Sequence, residues 1–521
     1  MRAHGIRPVG HPPVLSRIGG RRATEIRGDL RMETYVESMR PGATLVGHLG
    51  FHLRHEVAHL EFLARLFNSV GPKPLQDWIN AEPTGGYARR AAFLFETLTG
   101  ALLAPPSRLG GNYVDVLGAT DLVVATPKHA DKVARWRVND NLPGNRFFCP
   151  MIVKTNQTIA AAALDVPALY AELSSEFGND LLTRAATWMT LRESKASFAI
   201  EGEADKLTRV QRFADVIARR TARGQPPLEE TVLAELQAEI LGERTIIQSW
   251  GLRQSPVFVG QVARYQEVVH YVAPPPQDLA GMLAGLRLFL ERTREQSPVM
   301  RAAVAAFGFV YIHPLADGNG RVHRFLINDV LRRDGVIPAP AILPVSAVIS
   351  ADAAERNSYD QTLDSVSKPL MQSVRERVSF AASPITYPDG ISSNLVFEAN
   401  DEARPVWRYP DLGPHVQYLS DIVRRTISHE MREQSMYLAG HQRARAALKE
   451  VVEMPDEMAD RVLRSIEQND GHLSNALAKE IPLFANGSVW GELVKATKIA
   501  WGEPSADDSV VARYRPYRPV G

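Results

Sequence analysis

Residues 313–324 read HPLADGNGRVHR, a stretch that combines a histidine, a carboxylate, a glycine-rich turn and two arginines. Apolar side chains recur at helical spacing before it, over residues 300–312, and after it, over residues 322–330. Gly335 and Pro338 predict the end of the second helix, because glycine tolerates a left-handed cap and proline cannot continue the hydrogen-bond ladder. The stretch is therefore expected to form a loop between two helices. Its mixture of groups suits phosphate chemistry.

Length and composition limit the number of domains, the kinds of partner and the cellular compartment. The 521 residues exceed one ordinary domain, and a size of roughly 150 residues per domain predicts about three or four. Lys and Arg total 60 against 59 for Asp and Glu, so the global charge indicates neither a nucleic acid nor a membrane surface as partner. Cys149 is the single cysteine, which excludes an intramolecular disulfide and favours a reducing compartment. We expect a cytoplasmic protein without a membrane span or signal peptide, since no apolar run approaches about 20 residues.

Three segments are expected along the chain. They are a helical N-terminal region of unknown role, a catalytic core and a small helical C-terminal domain, over residues 1–165, 166–384 and 385–521. Residues 1–24 hold five arginines and no acidic residue, which predicts a poorly ordered basic arm. The C-terminal domain could be winged-helix-like. Its small basic cluster around Arg443 does not support nucleic acid binding, which stays open.

A histidine row lies in the N-terminal region. One predicted helical face carries His48, His52, His55 and His59. Within it the sequence HEVAH, residues 55–59, matches a two-histidine zinc pattern in which Glu56 would activate water. A third ligand is missing from the sequence that follows. A zinc-dependent hydrolase is therefore the alternative function, and an ordinary helix face is the favoured interpretation.

Two further segments precede the central stretch. Residues 192–202 predict a helix end at which Ser197 and Glu201, four apart, share one face; taken alone, this is an ordinary helix C-terminus. Two β-rich runs, residues 257–260 and 268–272, predict a hairpin. Such a hairpin is either a structural flap or an edge that aligns an incoming peptide by main-chain hydrogen bonds.

Together these features resemble the Fic-domain family. The central stretch is similar to the signature His-Pro-Phe-x-Asp/Glu-Gly-Asn-Gly/Lys-Arg-x-x-Arg, with Leu315 in place of the phenylalanine. Ser197, Glu201 and Gly202 are similar to the inhibitory Ser-x-x-x-Glu-Gly helix that some Fic proteins carry before the motif. The hairpin lies where the family places its target-docking flap, at Val257, Phe258, Val259 and Gly260. The resemblance implies a mostly α fold, a Fic-type helical core with a small β-hairpin flap.

The resemblance also implies an activity, the transfer of AMP from ATP to a Tyr, Ser or Thr hydroxyl of a protein, including the enzyme itself. His313 would be the general base, because imidazole titrates near neutral pH. Asp317 would hold Mg²⁺, a hard cation that prefers carboxylate and phosphate oxygens. The expected nucleotide-binding residues are Gly318, Asn319, Gly320, Arg321, Arg324 and Tyr359.

Regulation is implied as well. Glu201 would bind Arg324 and so occupy the arginine that the γ-phosphate needs, which predicts a weakly active enzyme. An adaptor that senses nucleotide without catalysis is another alternative. The identity of the target, donors other than ATP, AMP removal and a homodimer are left open by the sequence.

Overall fold

A computed structural model of the chain describes residues 5–10, 12–27, 30–203, 206–243, 245–263 and 266–501. Helices dominate these residues, and the sheets among them are small, with two or three strands each. The predicted mostly α fold with a small β-hairpin is therefore confirmed. In the described part of the chain, no helix is long and apolar enough to cross a bilayer.

The chain divides into two compact units. The first comprises Met1–Val166, Leu191–Ala339 and Val345–Arg424, and the second comprises Pro167–Thr190, Pro340–Pro344 and Arg425–Gly521. The expected boundary at residue 385 does not coincide with this division. Residues rich in Pro, Gly and Ser near that point form a paired hairpin that belongs to the first unit.

The N-terminal residues form a sheet of three strands. They are β1 (Val14–Gly19), β2 (Ala23–Arg27) and β3 (Leu30–Val36). Strand β3 lies in the middle, parallel to β1 and antiparallel to β2. Arg17 pairs with Glu25 at 2.7 Å and Arg22 pairs with Glu33 at 2.6 Å. The predicted disordered basic arm is thus wrong from Val14 onward, because acidic residues across the strands neutralise its arginines.

Four helices and a second small sheet follow. The helices are α1 (Leu45–His55), α2 (Leu60–Val70), α3 (Lys73–Ala81) and α4 (Gly86–Thr99). The strands, in the order β4-β6-β5, are β4 (Val114–Asp115), β5 (Asp131–Val133) and β6 (Val138–Asp140). Leu63, Phe67, Ile79 and Leu94 are fully buried in the core that these elements share. The N-terminal region, predicted as a helical region, thus also contains two small sheets.

The central part of the chain supplies the elements that carry the predicted site. Its helices are α5 (Asn156–Ala162), α6 (Val166–Phe177), α7 (Asn179–Ile200), α8 (Leu207–Arg220), α9 (Glu230–Leu241), α10 (Pro276–Arg292), α11 (Pro298–Ile312), α12 (Asn319–Arg333), α13 (Val345–Ile349) and α14 (Ala353–Val374). Between α9 and α10 lies the hairpin of β7 (Phe258–Ala263) and β8 (Gln266–Val272).

Helices α11 and α12 form the centre of the first unit. Ser297 starts α11, where its Oγ accepts a hydrogen bond from the Met300 N–H. Almost every residue of α11 is buried, and small alanines such as Ala302 and Ala305 allow neighbouring helices to approach closely. The two helices pack against each other along their length. This packing gives the loop between them, residues 313–318, a rigid support.

A second hairpin and two helices complete the first unit. They are β9 (Val378–Thr386), β10 (Ser392–Phe397), α15 (Asn400–Arg408) and α16 (Gly413–Arg425). The turn of this hairpin places Asp389 in the interior, with no exposed surface. That buried turn lies within the first unit.

The regular elements of the second unit are helices throughout its described residues. After a π-helical turn at Thr426–Met431 come α17 (Arg432–Val451), α18 (Asp456–Gln468), α19 (Asn475–Glu480) and α20 (Gly487–Trp501). Leu448, Leu463 and Leu493 are fully buried in its core. Between residues 425 and 501 the chain contains no strand, so no β-wing accompanies these helices there.

Candidate active site

Two left-handed residues shape the loop between α11 and α12. His313 ends α11 with φ 49° and ψ 55°, and its N–H donates to the Phe309 carbonyl at 2.9 Å. Gly318 begins α12 with φ 94°, a conformation in which a side chain would be strained. The loop therefore turns at both of its ends. It joins His313, at the end of α11, to the N-terminus of α12.

Side-chain hydrogen bonds hold the loop in place. The Asn319 amide accepts from the Leu315 N–H at 3.0 Å and donates to the Leu315 carbonyl at 2.8 Å. Gln237 donates to the Asp317 carbonyl at 2.9 Å. Leu315 is fully buried, as expected of an apolar wedge. The side chain of Asn319 therefore braces the loop, because both of its polar atoms bond to Leu315. The binding of nucleotide by the backbone of Asn319 stays a prediction.

The environment of His313 leaves it neutral. Its Nδ1 lies 3.3 Å from the Val310 carbonyl. Since a carbonyl can only accept, Nδ1 carries the proton and Nε2 keeps its lone pair. Burial lowers the pKa of His313 to about 4, and the positive charge of Arg253 adds to the shift. At neutral pH the ring can therefore accept a proton at Nε2.

Two arginines lie three residues apart on the first turns of α12. Arg321 is 6% exposed, and it donates to Asp317 Oδ1 at 3.0 Å while its guanidinium carbon lies 5.2 Å from the centre of the Phe198 ring. Arg324 is 1% exposed and donates from Nε to Ser197 Oγ at 2.7 Å. Both cations are held inside the protein, where water screens them little.

Glu201 contacts the second of these arginines. Glu201 follows α7, and the next residue, Gly202, adopts φ 74°. The Oε1 atom of Glu201 lies 2.5 Å from Arg324 Nη2. Burial alone would raise the pKa of the Glu201 carboxyl, but the Arg324 guanidinium outweighs burial and holds that pKa below its ordinary value. A Cβ atom on Gly320 would collide with Glu201 Oε1. The predicted contact of Glu201 with Arg324 is thus present, and Ser197, for which no such contact was predicted, bonds to the same guanidinium.

Asp317 is the exposed carboxylate of the loop between α11 and α12. Its side chain is 55% exposed, and its Oδ1 accepts from the Gly318 N–H at 2.5 Å and from Arg321. No cluster of three or more His, Cys, Asp and Glu side chains suited to a metal exists among the described residues. A single open carboxylate fits a cation that takes its remaining ligands from phosphate oxygens and water, as Mg²⁺ does.

Residues 227–331 match the family model described as the Fic/DOC family. Residues 227–331 of this chain therefore resemble a Fic domain. Two curated relatives are named protein adenylyltransferase Fic, from Drosophila ananassae and Drosophila melanogaster, with 35% and 34% identity over 114 residues. Each alignment covers 22% of this chain and 21% of the relative. The chain thus spans about a fifth of the length of the curated relatives it matches.

Solved structures of similar proteins come from two bacteria. A Fic family protein from Desulfovibrio desulfuricans is 21% identical, with a TM-score of 0.35 over 65% of this chain and 90% of that chain. A Fic domain containing signaling protein from Bacteroides thetaiotaomicron is 19% identical, with a TM-score of 0.35 over 52% of this chain and 97% of that chain.

The β7–β8 hairpin forms from the two β-rich runs in which the sequence predicted it. Phe258 lies opposite Val272 and Val259 opposite Tyr271, with an irregularity in the pairing after Val259. Val259 is 43% exposed, so the strand presents an apolar side chain to solvent. The predicted hairpin is confirmed, with its first strand beginning one residue after Val257. Its role in target docking stays a prediction.

Tyr359, predicted near the nucleobase, lies on α14 inside an aromatic cluster. Its ring centre is 6.0 Å from that of His323 and 6.3 Å from that of Phe307. Only 6% of the residue is exposed, and burial raises the pKa of its phenol to about 12. The structure thus gives Tyr359 a packing role, and contact with a nucleobase stays a prediction.

The zinc pattern lies far from the Fic domain in sequence and does not form the predicted face. Helix α1 ends at His55, and Glu56 is extended with φ −117° and ψ 166°. His59 instead starts α2, where its Nδ1 accepts from the Phe62 N–H at 3.1 Å. The prediction that four histidines line one helix is therefore wrong, because the imidazole of His59 acts as a helix cap.

The sequence did not single out Arg253, which precedes the hairpin of the Fic domain. It is 2% exposed and donates from Nε to the His313 carbonyl at 2.7 Å. The residues around it follow neither a helical nor an alternating pattern, so no local signal indicates burial. Only the folded chain reveals that this arginine contacts the central loop.

Proposed function

We propose that this protein transfers AMP from ATP to a hydroxyl side chain of a protein. The observation that carries the proposal is the neutral His313 ring, with Nε2 unprotonated, in the loop that leads directly into a helix with two buried arginines on its first turns. The Fic domain and the names of the matched relatives support this reaction. Ser, Thr and Tyr hydroxyls all fit it.

The chemistry is a displacement at phosphorus. The hydroxyl oxygen attacks the α-phosphorus of ATP while its proton moves to His313 Nε2. A new O–P bond forms, the bond from the α-phosphorus to the bridging oxygen breaks, and pyrophosphate leaves. Such reactions depend on positioning and on stabilising negative charge, and a positioned base contributes about 10²- to 10⁴-fold.

The start of α12 is the proposed phosphate site. The first N–H groups of a helix lack partners within the helix, and here Gly318 and Gly320 let phosphate oxygens approach them closely. Arg321 Nε is buried and makes no hydrogen bond within the described protein. A buried unsatisfied donor costs about 1–3 kcal/mol, which a phosphate oxygen would recover. Asn319 contributes its backbone N–H only.

Asp317 is the proposed ligand for Mg²⁺. Its carboxylate is exposed to solvent, so that a cation carrying phosphate and water ligands can reach it. The cation, when bound, neutralises charge that develops on the phosphates. Arg321 holds the carboxylate from the protein side and so fixes its orientation.

The resting enzyme is proposed to be autoinhibited. Arg324 donates to both Ser197 and Glu201, so its guanidinium is occupied before any γ-phosphate arrives. ATP would then bind in a pose unsuited to attack at the α-phosphorus. The consequence is slow modification of targets and slow self-modification.

Radiolabelled ATP tests the proposal. Protein incubated with [α-³²P]ATP and Mg²⁺ is expected to label weakly as wild type, more strongly as Glu201→Gly and not at all as His313→Ala. Mass spectrometry of the labelled protein identifies the transferred group. Nucleotide binding without labelling in Glu201→Gly would refute the transferase and favour an adaptor that senses nucleotide.

The proposed partner is a protein that bears an accessible hydroxyl. We also propose a cytoplasmic location, on the ground that the single cysteine suits a reducing compartment. Fractionation of cells that express the tagged chain tests this point. A homodimer stays open, and light scattering of the purified protein decides it.

A further inference from the structure

Arg253 is a buried cation bonded to carbonyl oxygens. Its guanidinium donates from Nε to the His313 carbonyl at 2.7 Å, from Nη1 to Ser255 at 2.7 Å and from Nη2 to Pro274 at 2.5 Å. Its backbone N–H donates to the Pro314 carbonyl at 2.9 Å. Burying a charge is costly unless its donors are satisfied, and here carbonyls satisfy them.

The carbonyls belong to three separate parts of the first unit. His313 and Pro314 begin the catalytic loop. Ser255 precedes the first strand of the β7–β8 hairpin, and Pro274 follows its second strand. Ala273 and Val257 close the base of the hairpin through a backbone hydrogen bond of 3.0 Å. One guanidinium thus joins the loop that carries the base to both ends of the hairpin.

The planar fork of arginine suits this task. Its donors point in fixed directions, whereas the lysine ammonium is a compact charge that could not reach three carbonyls in different directions. Asp389 fixes the same segment from the other side, since it accepts from the Gln254 N–H at 2.8 Å and from the Ser255 N–H and Oγ at 2.9 Å and 2.8 Å. The segment is therefore held between two buried charges.

We propose that Arg253 is a positioning residue that sets the distance between His313 and a target hydroxyl presented by the β7–β8 hairpin. The inference rests on the proposed AMP transfer. Arg253 does not touch the substrate in this scheme and acts through backbone carbonyls. A displacement of about 1 Å between reacting groups costs on the order of 10²-fold in rate.

The charge of Arg253 has a second effect on the base. The charged groups that face the His313 ring are Arg253 and Glu201. The carboxylate of Asp389 and the uncharged phenol of Tyr271 face Arg253. A nearby positive charge disfavours a protonated imidazole, so loss of Arg253 raises the pKa of His313, whereas lysine at this position largely preserves it.

The test uses the full-length Glu201→Gly protein as parent. Arg253→Lys and Arg253→Gln are added to it, with Arg287→Lys, a half-exposed arginine paired with Glu229, as matched control. Labelling from [α-³²P]ATP is measured at saturating and limiting ATP. Arg253→Lys is expected to lower kcat by about 10- to 100-fold while KM for ATP changes less than about twofold. Arg253→Gln is expected to show the larger loss.

NMR titration of the His313 ring gives a readout independent of turnover. The ring is expected to titrate at higher pH in Arg253→Gln and almost unchanged in Arg253→Lys. An unlabelled parent refutes the proposed function, whereas a labelled parent with an equally active Arg253→Lys refutes the positioning role. Thermal melting shows whether the Arg253 variants fold. If neither of them folds, Asp389→Asn, which loosens the same segment, is expected to lower kcat without raising KM for ATP. An unchanged kcat in Asp389→Asn would then refute the inference.

Discussion

Removal of the Glu201 carboxylate is expected to activate the enzyme, and the contact with Arg324 sets the size of the effect. A charge-assisted hydrogen bond contributes about 1.5–3 kcal/mol. The Glu201 side chain is 39% exposed, so solvent screening reduces the estimate to about 1–2 kcal/mol. Since about 1.4 kcal/mol is tenfold, Glu201→Gly should raise kcat/KM for ATP by roughly 5- to 30-fold. Glu201→Gln keeps a neutral hydrogen bond and should give a smaller rise.

The assay is labelling by [α-³²P]ATP at limiting ATP, followed over time. Glu235→Gln provides a matched control, because Glu235 forms an ion pair at 3.0 Å with Arg220 on the protein surface and lies outside the site. Thermal melting of each variant shows whether activation reflects loosening of the fold, since glycine loses more conformational freedom on folding than any other residue. Equal labelling by wild type and Glu201→Gly would refute the inhibitory contact.

Three other changes test separate parts of the structure. His313→Ala should lower labelling by about 10²-fold or more with ATP affinity retained, which a nucleotide binding titration checks. Leu315→Ala should reduce the free energy of unfolding by about 2–5 kcal/mol, measured by urea denaturation, because Leu315 is fully buried. The pKa of His323 is lowered by burial from 6.5 to about 4. The unfolded chain therefore binds more protons between these values, so stability should fall as pH falls from 6.5 to 4. His323→Gln should weaken the dependence of the free energy of unfolding on pH in this range. The same dependence in His323→Gln and wild type would contradict the role of His323.

The central site could be predicted from sequence because its signals are local. Residues 313–324 hold the base, the turn and both arginines within a short stretch, and the flanking apolar periodicity places them between two helices. The contact of Glu201 with Arg324 spans a long sequence distance, and it was predicted only through the resemblance to Fic proteins. Spacing on one helix face could not by itself choose the partner of Glu201.

Other features were predicted wrongly or not at all, and each case has a physical reason. A histidine row with helical spacing breaks where His59 caps a new helix, because a capping hydrogen bond competes with continuation of the old one. The basic N-terminal segment becomes a sheet because its arginines find Glu25 and Glu33 across strands. Arg253 is buried through bonds to carbonyls distant in sequence, which no pattern of neighbouring residues can indicate.

The packing of Gly320 against Glu201 has an evolutionary consequence. The space that a side chain at position 320 would fill is already taken by the Glu201 carboxylate. A single codon change at 320 would therefore disturb the same contact as a change at 201, although the two codons lie far apart in the gene. Selection for a quiet resting enzyme must therefore preserve both positions together, whereas the proposed phosphate site would retain Gly320 even where Glu201 is lost.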